Sequence, residues 1–228
     1  MSVTLAFDVY GTLIDTHGVV SKLEELVGAK AKAFSQTWRD KQLEYTFRRG
    51  LMQNYENFSV CTSNALDYTC TFYKENLSKE QRTALLDSYR TLPAFKDVAE
   101  GLTQLKDAGY RLYAFSNGRA DDVETLLIRA GIRSLFLGVI STDDLNTFKP
   151  NPAVYRHFLK ESDASANDAW LISSNPFDVQ GAISAGMSAA WVQRSQEAIF
   201  DPWGIEPMIT VGSLLELNDK LGITLPHS

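Results

Sequence analysis

Cysteine is nearly absent from this chain: among 228 residues there are two, Cys61 and Cys70. That excludes a disulfide scaffold, and both read as small apolar core residues in a reducing compartment. Histidine is almost as scarce, and His17, His157 and His227 share no metal-ligand spacing. Nowhere does an apolar run approach the ~20 residues that span a bilayer. Basic charge is in deficit, with 22 Lys and Arg against 28 Asp and Glu, a net charge of −6. That balance argues against nucleic acid or an anionic membrane as partner. It leaves room for a small anion held by local N–H groups. There is no internal repeat and no low-complexity tract. The opening residues run straight into a strand pattern without a secretory leader, so a cytoplasmic protein is expected. What remains, 44% hydrophobic and 22% charged, can bury the core of one large α/β domain or of a core with a smaller insert.

The stretch Val3 to Ile14 organises the rest. It starts as a short apolar run without alternation, as expected for a strand covered on both faces. It ends in Asp8, followed by Gly11. A carboxylate at the carboxyl end of such a strand sits where open α/β sheets bind ligands, and Gly11 permits a turn with close backbone approach. Asp8 therefore reads as a nucleophile or metal ligand, or more plainly as a helix cap.

From Asp15 to about Leu92 the spacing is helical. Val19, Leu23 and Leu26 follow a 3.6-residue period. Phe34, Trp38, Tyr45, Leu51 and Tyr55 supply apolar positions in a long segment from Phe34 to Phe58. Leu66, Cys70 and Tyr73 mark another stripe, and Ser78 with Gln81 has the form of a capping box. Beyond Pro93 strands and helices alternate. Strands are expected at Tyr110–Phe115, Leu137–Ile140, Ala169–Ile172, Ala189–Val192 and Met208–Val211, with helices closing at Gly109, Gly131 and Gly186. This alternation predicts a parallel sheet with helices on both faces and a helical cap inserted after the first strand.

In such a sheet the polar residues after each strand share one edge. Asp8, Ser116-Asn117 and Ser173-Ser174-Asn175 with Asp178 would converge there, with Lys149 in a nearby loop. Each has a plainer reading: Ser116 and Ser173 as caps, Asp178 as a first-turn acid, Lys149 as a surface charge. Together they can do chemistry, with Asp8 as nucleophile, Lys149 as its counter-charge and Asp178 as a base toward water.

Asp8-Val9-Tyr10-Gly11-Thr12-Leu13, Ser116-Asn117-Gly118, Lys149-Pro150 and Ser173 through Asp178 resemble the motifs of the haloacid dehalogenase superfamily, and most of all its L-2-haloacid dehalogenases. The phosphatase branch carries an acid two residues after its nucleophile; here Tyr10 stands there. It also carries paired acids or Gly-Asp in its last motif, where this chain has Ser-Ser-Asn before the single Asp178. The segment Trp38 to Thr46 is similar to the dehalogenase cap that contains the halide-facing Arg. Physical chemistry points the same way. Phosphoryl transfer needs carboxylates on Mg²⁺ and an acid for the leaving alcohol. Halide leaves carbon unprotonated, so neither is required.

The resemblance implies an α/β fold, a doubly wound Rossmann-like parallel sheet core (residues 1–14 plus 93–228) with an inserted helical cap (residues 15–92). It implies a 2-haloalkanoate substrate, no metal or other cofactor, and a homodimer. Asp8 would attack C2 and expel halide with inversion, and water would then open the aspartyl ester. Ser116 and the backbone N–H groups of Tyr10, Gly11 and Leu13 would hold the substrate carboxylate, with Thr12 supporting the loop. Arg39 with Asn117 would take the halide. Tyr10, Phe58 and Phe177 would line the pocket, and Tyr155 would lie close to Lys149. Ser173 and Asn175 would orient Asp178, the water activator. Competing readings are a Mg²⁺-dependent phosphatase of the same fold and a non-catalytic carboxylate-binding module.

Overall fold

A computed structural model describes residues 3–224; His227 lies outside them. Its sheet consists of β1 (Thr4–Phe7), β2 (Arg111–Ser116), β3 (Gly138–Ser141), β4 (Ala169–Ser173), β5 (Ser188–Val192) and β6 (Ile209–Val211), all parallel, in the order β3-β2-β1-β4-β5-β6. The expected strands are all present, shifted by a residue at some ends. β1 is central because both its faces are covered: Leu5 and Phe7 enter one apolar cluster and Ala6 the other. The same division recurs in β4, with Trp170 and Ile172 on one face and Ala169 and Leu171 on the other. Since both faces are apolar, no polar alternation marks these strands.

Between β1 and the core helix α5 (Val98–Asp107) lies the helical insertion: α1 (Val20–Val27), α2 (Ala31–Met52), α3 (Phe58–Tyr73) and α4 (Lys79–Ser88). α4 opens with the predicted capping box, Ser78 and Gln81 exchanging backbone bonds reciprocally. Cys61 and Cys70 are free thiols buried on α3. Two features of this stretch go beyond its apolar pattern. The segment from Phe34 to Phe58 is not one helix, because Gln53 turns left-handed at φ 54° and Asn57 caps α3 afresh by accepting from Val60 N. Leu51, near the end of α2, is apolar but not core, being 86% exposed.

The core continues with α6 (Ala120–Arg129), α7 (Pro152–Glu161), α8 (Pro176–Ser184) and α9 (Leu217–Thr224). The chain leaves β1 for β2 on one side, while β4 pairs with β1 on the other. The carboxyl ends of β1 and β4 therefore flank the switch point where open α/β sheets form a crevice. Among the described residues no helix is long and apolar enough to cross a membrane.

Candidate active site

Asp8 follows the last residue of β1, and its N–H donates to Ile172 O at 3.0 Å, so the backbone fixes its position at the switch point. Both carboxylate oxygens are occupied. Oδ1 accepts from Lys149 Nζ at 3.1 Å. Oδ2 accepts from the Thr12 hydroxyl at 2.8 Å and from Asn175 Nδ2 at 2.7 Å. Asp8 is 8% exposed, so this carboxylate is largely removed from bulk water.

Lys149 is buried and gives its remaining donors to Asp178 Oδ2 and Phe115 O, both at 2.8 Å. Burial alone would lower the proton affinity of this ammonium; Asp178 and Asp8 outweigh it and hold its pKa above the ordinary lysine value. Asp178 is wholly buried at the third position of α8, and its Oδ1 accepts the Tyr155 hydroxyl at 2.8 Å. Burial, with the charge of Asp8 added, raises the Asp178 pKa to about 6 against the opposing pull of Lys149 and Tyr155. Burial and Asp178 together push the Tyr155 phenol well upward, so it serves as a donor.

The loop after β1 turns at Gly11, φ +87°, where a side chain would be strained and would approach Ser174 Oγ at 3.5 Å. The loop is braced from two sides. Ser174 donates its N–H to Thr12 Oγ1 and its hydroxyl to Gly11 O, both at 2.8 Å. Arg194 donates to Thr12 O at 2.6 Å through Nη2 and pairs with both oxygens of Asp97 at 2.7 and 2.8 Å through Nη1. Burial works against the Asp97 carboxylate, but the Leu214 N–H, Arg194 and Ser213 prevail and lower its pKa. Sequence reasoning misses the roles of both Ser174 and Arg194. Ser174 carries a signal, standing inside the Ser-Ser-Asn run; Arg194 carries none.

Several predicted contacts differ. The Gly11 and Leu13 N–H groups donate to Ile14 O at 2.9 Å and Val9 O at 3.0 Å, so the tight turn itself consumes them. Neither is free to hold a carboxylate. The side chains of Ser173 and Asn175 do not reach the Asp178 carboxylate, though Asn175 O accepts from Asp178 N at 3.1 Å: the Ser173 hydroxyl accepts from Asn175 N at 3.1 Å, and the Asn175 side-chain amide reaches Asp8 and Tyr10 O. Asn175 is the N-cap of α8 and Asp178 lies in its first turn, and the two side chains take different partners. Ser116 caps no helix, since Arg119 occupies the N-cap of α6; its Oγ accepts from Gly118 N at 3.0 Å in a local turn, leaving the hydroxyl proton to give. Asn117 Oδ1 accepts from Lys149 N at 2.9 Å and Thr142 Oγ1 at 3.2 Å, which turns its amide nitrogen the other way.

Above the strand ends, half-buried Arg39 on α2 donates through Nη2 to Tyr10 O at 3.3 Å. The Tyr10 and Phe58 rings lie 5.3 Å apart and line a cavity of about 360 Å³. Phe177 stands apart from them. Its ring packs edge-on against Phe47 at 5.0 Å, and it lines a separate apolar cavity of about 510 Å³ with Lys149. Among the described residues no group of three His, Cys, Asp or Glu is placed to hold a metal ion; the ammonium of Lys149 lies between the two carboxylates.

A carboxylate held at a β-strand end by a buried lysine, a threonine and an asparagine, beneath an arginine from a helical insertion, is a site for nucleophilic substitution. The chain belongs to the haloacid dehalogenase-like hydrolases, whose family pattern matches residues 3–186. An (S)-2-haloacid dehalogenase of Pseudomonas putida is 36% identical over 217 residues, covering 95% of each chain. The haloacetate dehalogenase H-2 of Moraxella sp. (strain B) is 37% identical over 207 residues, 91% of this chain and 92% of its own. The L-2-haloacid dehalogenase of Xanthobacter autotrophicus, solved with chloropropionic acid covalently bound, superposes with a TM-score of 0.91 at 30% identity, covering 99% of this chain and all of its own.

Proposed function

We propose that this chain hydrolyses L-2-haloalkanoic acids to D-2-hydroxy acids and halide through an ester on Asp8. The observation that carries this is the Asp8 carboxylate itself, aimed by Thr12 and Asn175 and ion-paired to Lys149. The Xanthobacter relative with its covalently bound chloropropionic acid supports the same chemistry. An Asp8 oxygen attacks C2 as the carbon–halogen bond breaks, and the halide leaves with the bonding electrons. Arg39 and the Asn117 amide nitrogen receive it. Ser116 and the Tyr10 N–H hold the substrate carboxylate, the Gly11 and Leu13 amides being engaged elsewhere. Water then adds to the ester carbonyl, the acyl C–O bond breaks, the product keeps the C2 oxygen and Asp8 is restored.

Asp178 is joined to Asp8 through Lys149 and acts as the base, its proton affinity raised toward neutrality. To take the water's proton it exchanges Tyr155 for that water, since both its oxygens are occupied before reaction. Residues 15–92 act as a cap over a core of 1–14 plus 93–228, and Arg39 carries the cap's contribution to the site. No metal or other cofactor takes part. The two free buried thiols suit a cytoplasmic location. The exposed apolar side chains of Leu51, Met52 and Phe72, at the ends of α2 and α3, suit a homodimer.

The test is incubation with L-2-chloropropionate in excess chelator, measuring chloride and the configuration of the lactate formed. Chloride release with D-lactate is expected. No release, or release abolished by the chelator, refutes the reading and favours a binding module or a metal-dependent hydrolase.

A further inference from the structure

Arg39 is held from behind by a hydrogen-bond chain whose every direction is forced. Arg39 Nη1 donates to Gln42 Oε1 at 2.6 Å. Gln42 Nε2 donates to Thr62 Oγ1 at 2.5 Å, and the Thr62 hydroxyl donates to Phe58 O at 2.8 Å. A guanidinium has donors only, so Gln42 must turn its oxygen to Arg39 and its nitrogen to Thr62. Thr62 is then left to donate onward. Gln42 is fully buried and Thr62 is 5% exposed. A buried amide is costly unless paired, and an apolar residue would pack α2 against α3 without that cost. The Trp38 indole N–H, bonded to Thr62 O at 2.9 Å, secures the same turn of α3. The chain thus runs from Arg39 to Phe58, whose ring faces Tyr10, while the other guanidinium nitrogen reaches Tyr10 O.

We propose that Gln42 and Thr62 are positioning residues that hold Arg39 toward the departing halide and thereby set the enzyme's discrimination between leaving groups. The inference rests on Arg39 receiving the halide, as proposed above. A guanidinium fixed before reaction needs no reorganisation as charge develops on the halogen. The poorer the leaving group, the more the transition state depends on that charge being met. Chloride therefore relies on the chain more than bromide does.

The experiment compares the full-length enzyme with Gln42→Met, Thr62→Val and Thr62→Ser, measuring kcat and KM on L-2-chloropropionate and L-2-bromopropionate. Gln42→Met is expected to lower kcat on the chloro acid about tenfold, the effect of losing one charge-assisted hydrogen bond, with a much smaller loss on the bromo acid. KM should change little, and inhibition by added chloride should weaken. Thr62→Val moves the same way and Thr62→Ser restores the wild-type ratio; this pair carries the test should Gln42→Met fail to fold. In an Arg39→Met background, Gln42→Met should cost nothing further, because it acts through the arginine. An equal slowing of both substrates, or a full additional loss in that background, would overturn the inference. A wild-type enzyme releasing no halide would instead refute the functional reading on which it rests.

Discussion

Replacing Lys149 by methionine removes one charge at nearly constant volume, and the surroundings of the side chain set the cost. It is 1% exposed, donates to Asp8, Asp178 and Phe115 O, and places its ammonium 4.2 Å from the Phe115 ring centre. Without it two buried carboxylates are left with no counter-charge between them. Breaking a buried pair in this way costs about 3–5 kcal/mol, or roughly 10 °C in Tm for a chain of this size. The loss should depend on pH, with a definite sign. Asp178 already sits at about 6 in the presence of the ammonium, and losing that counter-charge drives it higher. A carboxyl whose folded pKa lies above its unfolded value favours folding fully below the unfolded value, near 3.9, and loses that contribution as pH rises through the folded one. The variant should therefore be most impaired at pH 8 and approach wild type toward pH 5. Urea denaturation of both proteins at these two pH values, at matched ionic strength, measures the difference. Adding Asp178→Asn should recover part of the loss by removing one stranded charge. Equal destabilisation at both pH values, or no recovery in the double variant, would refute the ion-pair argument.

The same cluster governs the pH profile. If the Asp178 carboxylate is the working form, kcat/KM rises with pH through about 6 and levels above it; a flat profile from pH 7.5 to 5 would exclude that. Gly181→Ala drives a Cβ into the Tyr155 hydroxyl and places it 2.7 Å from Pro150 Cβ. Overpacking of this kind costs about 1–3 kcal/mol and pulls Tyr155 off Asp178, so Tm and kcat should fall together. Unchanged values of both would contradict the packing of α7 on α8. Asp8→Asn should abolish turnover while cooperative unfolding persists, and a single turnover of wild type in ¹⁸O-water should label the enzyme before the product. Label found only in the product would remove the ester.

How far the chain could be read beforehand differs by element. β1 and β4 were readable because a strand covered on both faces must be apolar throughout, and Leu5, Ala6 and Phe7 are. Their parallel direction put Asp8 and the Ser173-to-Asp178 segment on one edge, and Lys149 reached it from the loop between β3 and α7. Hydrogen-bond partners were not readable. Ser173 and Asn175 stand beside Asp178 in sequence, yet the turn into α8 sends the Asn175 amide across to Asp8 while Asp178 faces Tyr155 on α7. A tight turn also consumes its own N–H groups, which residue type at Gly11 and Leu13 does not reveal. Gln42 was invisible for the opposite reason: a glutamine on a long helix resembles a surface residue until α3 is laid over it.

Asp8, Lys149 and Asp178 are one unit of charge, and the proposed chemistry changes its total. Before reaction two carboxylates share one ammonium, a net charge of −1 that the substrate carboxylate must approach; Ser116, the Tyr10 N–H and Arg39 offset it. Forming the ester removes the charge of Asp8. Lys149 is then matched by Asp178 alone, and the contribution with which Asp8 raises the Asp178 pKa disappears. The ammonium, bonded to Asp178 at 2.8 Å before reaction, would then no longer face a carboxylate on the other side. It is then free to polarise the ester oxygen that replaces that carboxylate, at the carbonyl that water must attack. In the proposed chemistry a single buried lysine would thus serve both steps, as counter-ion to the nucleophile in the first and as electrophile to its ester in the second. That double duty gives a physical reason for burying an ammonium where a neutral donor would position Asp8 equally well.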